Sequence, residues 1–166
     1  MNTEFPTIKH LFISPGHNFV GHAGREPDTY PAKDLAEVEL KAGSGIMGDR
    51  YFDHKPDYKG QITFFDWETY LRIREKFSRK DLEPWVFRRN VITVGVELND
   101  LIGVEFEMQG VLFAGTEEAR PCMWMNREIG DGAKEALEGL GGLRARILTD
   151  GWLRTGRCEL GIKSSV

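Results

Sequence analysis

The sequence predicts a mostly-β fold, an antiparallel-rich barrel or sandwich, and three observations carry the prediction. Apolar and charged residues alternate with period two in Ala36-Glu37-Val38-Glu39-Leu40-Lys41 and in Val104-Glu105-Phe106-Glu107-Met108, the pattern of a strand with one wet and one buried face. Other short apolar segments recur along the chain between glycine, proline or Asn-Asp turn signals. Glycine itself is in excess, 19 of 166 residues, where about 7% is usual, so many tight turns or close backbone approaches are expected.

Taken in order, strands are predicted at residues 8–14, 36–41, 61–65, 90–94, 104–108, 111–116, 143–149 and 158–163. Two helices interrupt them. Asp66 is placed to cap a helix running to Phe77, with Trp67, Tyr70, Leu71 and Phe77 near one face. Asp131 is placed to cap a second, with Ala133, Ala136, Leu137 and Leu140 spaced for one face and Gly141-Gly142 to stop it. Three long connections remain, at residues 15–34, 49–59 and 117–130. Structureless stretches of that length often line sites.

The length fits a single domain over residues 1–166. With 40% hydrophobic and 29% charged residues, the chain reads as an ordinary globule with a core of its own. The apolar runs are too short to span a bilayer, and no secretory leader is visible. Cys122 and Cys158 form neither a disulfide framework nor a zinc motif. A cytoplasmic, reducing setting is therefore expected. The net charge of −4 argues against nucleic acid as a partner, but leaves room for a local basic pocket that takes an anionic small molecule.

Four segments could carry chemistry. In Glu118-Ala119-Arg120-Pro121-Cys122-Met123-Trp124-Met125-Asn126, Arg120 and Arg127 would favour a Cys122 thiolate. A cysteine buried among Met123, Trp124 and Met125 is the plainer alternative. In Gly43-Ser44-Gly45-Ile46-Met47-Gly48-Asp49-Arg50-Tyr51, turn amides can cup an anion and Arg50 can clamp one. A surface turn with an Asp49–Arg50 pair explains the same residues, and neither a Walker loop nor a Rossmann fingerprint is present. Arg88 and Arg89 run into the strand that contains Asn90, as suits phosphate or carboxylate recognition; one solvated arginine and one structural ion pair would serve as well. His17 and His22 lie in the first long connection, five apart and so not on one helix face. They are candidate acid/base groups or simply exposed histidines. Trp85, Val86 and Phe87 are a candidate exposed apolar patch.

Together these segments resemble the MOSC family, the domain named after the C-terminal part of molybdenum-cofactor sulfurase. The matching pieces are Gly45-Ile46-Met47-Gly48-Asp49-Arg50, then Arg88-Arg89-Asn90 through Gly103, then Arg120-Pro121-Cys122. A weaker match runs from Gly142 to Gly156. The order and spacing are specific where no single piece is, and they cover residues 36 to 162.

The resemblance implies a closed, antiparallel-rich β-barrel with a few helical insertions. It also implies handling of the molybdenum–pterin cofactor, or of sulfur destined for a metal. Cys122 would bind molybdenum or carry a persulfide. Gly48, Asp49, Arg50, Arg88, Arg89 and Asn90 would hold the pterin phosphate and ring, with Arg120 beside them. The His17–His22 loop would enter the cleft. Gly156-Arg157 departs from the Gly-Asp pair that the family often has near its last strand. Neither a pyridoxal-phosphate sulfurase domain nor a second barrel domain is present, so a sulfur- or electron-donor protein is an expected partner.

The leading expectation is an enzyme that reduces N-hydroxylated or other N–O compounds, with His17, His22 or Asp49 as acid/base and a small molecule as substrate. A persulfide carrier and a non-catalytic small-molecule-binding barrel are the alternatives. No membrane partner is expected.

Overall fold

The computed structural model describes residues 3–16 and 32–165. Strands β1 (Thr3–Glu4), β2 (Thr7–Ile13), β3 (Lys33–Asp34), β4 (Glu37–Lys41), β5 (Gly45–Ile46) and β6 (Ile62–Asp66) come first. Helix α1 (Trp67–Lys76) and a 3-10 turn at Pro84–Phe87 lead into β7 (Val91–Val94). After a second 3-10 turn at Leu98–Leu101 follow β8 (Val104–Met108), β9 (Val111–Glu118), α2 (Met123–Glu128) and α3 (Ala133–Ala136). The last strands are β10 (Leu143–Ile147), β11 (Gly151–Arg154), β12 (Gly156–Arg157) and β13 (Leu160–Ser165).

The main sheet runs β1-β13-β8-β9-β10-β6-β7-β2-β12, with β3 also on β2. Its ladders are antiparallel except β6–β7. Strands β11, β4 and β5 form a separate small sheet. The sheet is a strongly curled half-barrel, not the uninterrupted closed barrel that the family resemblance implies. Its two edges meet along a broken seam. Thr3 and Glu4 pair with Gly161 and Leu160, and Thr7 and Ile8 pair with Arg157 and Gly156. Between these pieces a single hydrogen bond runs from Cys158 N to Pro6 O at 2.9 Å. Pro6 has no N–H to return it, so the ladder is cut there.

Period-two geometry distributes the core. In β8, Phe106 and Met108 are buried and Glu105 and Glu107 face outward; β4 buries Val38 and Leu40 in the same way. Strands β2, β6 and β7 are covered on both faces. Leu11, Phe64 and Val91 point into the curled sheet, where Phe64, Phe106 and Phe113 pack ring to ring. Their neighbours Phe12, Phe65 and Ile92 join the helical side with Tyr70, Phe87, Trp124 and Leu137. This sheet-to-helix layer carries the functional face.

The predicted helices change in detail. Helix α1 ends at Lys76 with Phe77 as its C-cap, and Asp66 holds the N-cap position as expected, but its carboxylate makes no capping hydrogen bond. Instead it accepts from Thr69 Oγ1 at 3.1 Å and shares a hydrogen bond with Glu68. The second helix shrinks to α3, capped by Gly132 at φ 89° rather than by Asp131. Asn126 Oδ1 takes the Lys134 N–H at 2.8 Å, which ties α3 to α2. Residues 117–130, expected as a loop, hold the end of β9 and all of α2. Trp85, Val86 and Phe87 are not an exposed patch: the first two are half-buried and Phe87 is buried. Among the described residues no helix is long and apolar enough to cross a membrane.

Candidate functional site

A cavity of about 470 Å³ opens beside β6, β9 and β10, and the turn after β5, the Pro84–Phe87 turn and the start of α2 complete its walls. Five guanidinium groups line it, those of Arg50, Arg88, Arg89, Arg120 and Arg144, against the carboxylates of Glu117 and Glu118. The net charge of the chain is −4, so this is a positive hollow in an acidic protein. Cys122 stands on the same wall and is exposed. Proline before it and α2 after it fix the approach of the chain, and Cys122 itself is extended at φ −130°.

The sequence grouped Arg120 and Arg127 with this thiol. The structure also puts Arg88 and Arg89 within electrostatic reach of it. Arg88 ends the 3-10 turn in the left-handed conformation, φ 60°, ψ 40°, a costly backbone state for a residue with a Cβ. That bend delivers its guanidinium between two indoles, 5.1 Å from the Trp85 ring centre and 5.2 Å from that of Trp124. Trp124 is in turn pinned by its indole N–H to Val86 O at 2.9 Å. Arg50 lies over the other partners of this stack, 4.8 Å from Tyr51 and 5.2 Å from Trp85. An alternating ladder of rings and cations results, Tyr51–Arg50–Trp85–Arg88–Trp124.

Burial pushes the Arg88 pKa down to about 10, and the neighbouring Arg50 charge adds to the fall. Arg89 is also lowered to about 10, by burial, while the negative charge of a Cys122 thiolate would act the other way. Arg89 donates to carbonyl oxygens, those of Gly141, Phe87 and Ala119 at 2.8–3.0 Å and of Arg120 at 3.4 Å. Its position is therefore fixed, and among the described residues no carboxylate pairs with it. Two buried N–H groups, Arg50 Nε and Arg88 Nη1, find no acceptor among the described residues. Such groups are costly when no acceptor meets them.

Three predicted residues serve the scaffold. The Asp49 carboxylate is buried away from the cavity lining and accepts from Ser14 N at 3.0 Å, Tyr51 N at 3.3 Å and Arg50 Nη1 at 3.3 Å. It orients the Arg50 turn and has no opening for acid/base work. Asn90 is buried too. Its Oδ1 accepts from Thr63 N and Oγ1, both at 3.0 Å, and its Nδ2 donates to Phe12 O at 3.1 Å, so it clamps β6 and β2 across β7. Gly48, at φ +87°, makes the turn and does not reach the cavity. His17 and His22 lie outside the described residues.

The wall that continues from Tyr51 was not foreseen. Tyr51 and Tyr58 stack at 5.5 Å, with His54 against both. Arg144 Nη2 donates to the Tyr58 hydroxyl and Nη1 to Glu117 Oε1 at 3.0 Å. Gly60 makes room for this arrangement: a Cβ there would stand 2.6 Å from Arg144 Nε. Charged residues alternating with buried Leu143, Ala145 and Ile147 were the available signal on β10.

Among the described residues no cluster of three or more His, Cys, Asp or Glu could hold a metal ion. The thiol and the cations fit an anionic ligand that carries a soft metal.

A family model, the MOSC domain, matches residues 23–159. No curated protein matches the sequence. Among solved structures, the YuaD protein from Bacillus subtilis superposes with a TM-score of 0.75 at 18% identity, covering 98% of this chain and 99% of that one. YiiM from Geobacillus stearothermophilus gives 0.67 at 15% identity, with 96% and 75% covered. YiiM from Escherichia coli gives 0.63 at 16% identity, with 100% and 71% covered. At these identities the likeness is one of fold. The family match, spanning most of the sequence, settles membership: the chain belongs to the MOSC domain family.

Proposed function

We propose that this chain binds a molybdenum–pterin cofactor in the arginine-lined cavity, with the Cys122 thiolate as its protein ligand to the metal, and that it reduces N-hydroxylated or related N–O compounds. The observation that carries the reading is an exposed thiol on the wall of a hollow lined by the guanidinium groups of Arg50, Arg88, Arg89, Arg120 and Arg144. The group, when bound, supplies a two-electron redox couple. The chain does the rest. Cys122 offers a soft anchor. Arg50 and Arg88, each packed on Trp85, take the anionic part of the ligand. Arg89 and Arg120 add positive charge. Phe87, Trp124 and Met125 give the cavity an apolar side that limits water. The two free thiols suit a reducing cytoplasm, and an external donor protein would deliver electrons at the open face.

Protein expressed with cofactor supply is expected to contain near-stoichiometric molybdenum by elemental analysis, and Cys122→Ser to lose it. Wild-type protein without metal under those conditions refutes the reading. The exposure of Cys122 also favours a second reading, a persulfide carrier that hands sulfur to a partner. That reading requires cyanide-releasable sulfur on Cys122, seen as a gain of about 32 Da by intact mass.

A further inference from the structure

Reducing an N–OH group breaks the N–O bond and expels its oxygen, which leaves as water only if a proton meets it. The equation is R2N–OH + 2e⁻ + 2H⁺ → R2NH + H2O. Among the described residues of the cavity wall, few groups have such a proton to give. Glu117 is paired with Arg144. Glu118 accepts the Gly141 N–H at 3.0 Å. Asp49 is off the wall and engaged by Ser14, Tyr51 and Arg50.

We infer that Tyr58, the cavity-wall phenol hydrogen-bonded by Arg144 and stacked on the Tyr51 end of the arginine ladder, is the proton donor to the departing oxygen. The inference rests on the reductase reading above. The Tyr58 hydroxyl accepts from Arg144 Nη2 and shares a hydrogen bond with Tyr51, which keeps the proton on Tyr58 until a more basic acceptor takes it. The Arg144 guanidinium also lies 5.0 Å from the Tyr58 ring centre. It is poised to stabilise the phenolate that transfer creates, and Glu117 and Gly60 hold it there. Arg144 is thus a positioning residue. Electrons come from the reductant; the phenolate recovers its proton from water, and the second proton reaches nitrogen from water.

Burial, then the nearby Tyr51, raise the Tyr58 pKa above its usual value, while Arg144 opposes them. The phenol therefore stays protonated at neutral pH, where an unperturbed carboxylic acid would already be ionised. Hydroxide is far more basic than phenolate, so transfer to it runs downhill. The charged or titratable groups facing Tyr58 are Tyr51, His54 and Lys55 from its own loop, Arg144 from β10 and, through Arg144, Glu117 from β9.

The test uses the full chain loaded with cofactor, reduced methyl viologen as electron donor and phenylhydroxylamine as probe. Tyr58→Phe keeps the ring and removes the proton. It should keep its molybdenum and KM, lose about 100-fold in kcat, and lose the decline of kcat as pH rises through the phenol pKa. A readout independent of metal is tyrosinate absorbance: one late-titrating tyrosine should vanish in Tyr58→Phe and move later still in Arg144→Gln. An active wild type with an equally active Tyr58→Phe, or no tyrosine lost from the late titration, overturns the proton-donor assignment alone. A wild type with neither metal nor turnover overturns the reductase reading and the assignment with it. If Tyr58→Phe does not fold, Arg144→Gln decides: an unchanged kcat and pH profile overturns the assignment.

Discussion

Replacing Asp66 by asparagine tests how the acid pair at the start of α1 couples stability to pH. Asp66 is half-buried, and its pKa rises from the ordinary 3.8 to about 7, through burial first and then through Glu68. Glu68 moves the other way, below its ordinary 4.5, because Asp66 hydrogen-bonds to it. Between pH 4 and 7 the folded chain therefore holds a proton on Asp66 that the unfolded chain has released. The stability tied to that proton is complete below about pH 4 and is lost as pH climbs through 7. Each tenfold in proton affinity is worth about 1.4 kcal/mol, so the shift bounds the loss at roughly 4 kcal/mol. Solvent screening at a half-buried carboxyl and the opposing gain at Glu68 reduce this to about 1–2 kcal/mol. Asparagine imitates the protonated acid, since its amide can donate to Glu68 and accept from Thr69 Oγ1. Urea unfolding should find Asp66→Asn equal to wild type at pH 4 and about 1–2 kcal/mol more stable at pH 8, or roughly 2–8 °C in Tm for a chain of this size. The same pH dependence in both proteins, or a less stable variant at pH 8, would refute the reasoning.

Three further substitutions probe the scaffold and the cavity. Asn90→Ala strips the partners from Thr63 N and Phe12 O, both buried, and should cost about 2–5 kcal/mol in denaturant unfolding; a cost below 1 kcal/mol would mean that the clamp is dispensable. Gly115→Ala would set a Cβ 1.9 Å from Leu101 O, a backbone atom. The sheet and the 3-10 turn must then part, at roughly 3 kcal/mol or more, which thermal unfolding will show. Arg88→Lys keeps the charge but gives up the planar group between Trp85 and Trp124. Calorimetry should find inorganic pyrophosphate bound about tenfold more weakly, and an unaltered affinity would separate the indole stack from anion binding.

Residues that act through local pattern were legible in the sequence, and residues that act through distant contact were not. Val38 and Leu40, or Phe106 and Met108, declare their buried face by alternation alone. The turn at Gly48 and the arginines after it stood out because glycine and guanidinium groups are distinctive by type. Helix α2 did not, since six residues with Trp124 and Met125 buried give too short a period to recognise. The pairing of Tyr58 with Arg144 spans 86 positions, and only the curl of β10 against the loop before β6 brings them together. Asp49 misled for the opposite reason. An aspartate beside an arginine looks like a working pair, but its oxygens are spent on the amides of Ser14 and Tyr51. Arg89 shows the same ambiguity resolved differently: expected to face a ligand or pair with an acid, it is held by carbonyls and keeps its charge.

The interrupted seam at Pro6 has a kinetic consequence. Thr3 meets Gly161 and Ile8 meets Gly156, so segments far apart in the sequence have to dock against each other. Such contacts repay the entropy of loop closure only late. Until then one side of β2 waits uncovered as a sticky edge. A proline there keeps that waiting edge short of donors, a small safeguard against recruiting a stray strand before its own arrives.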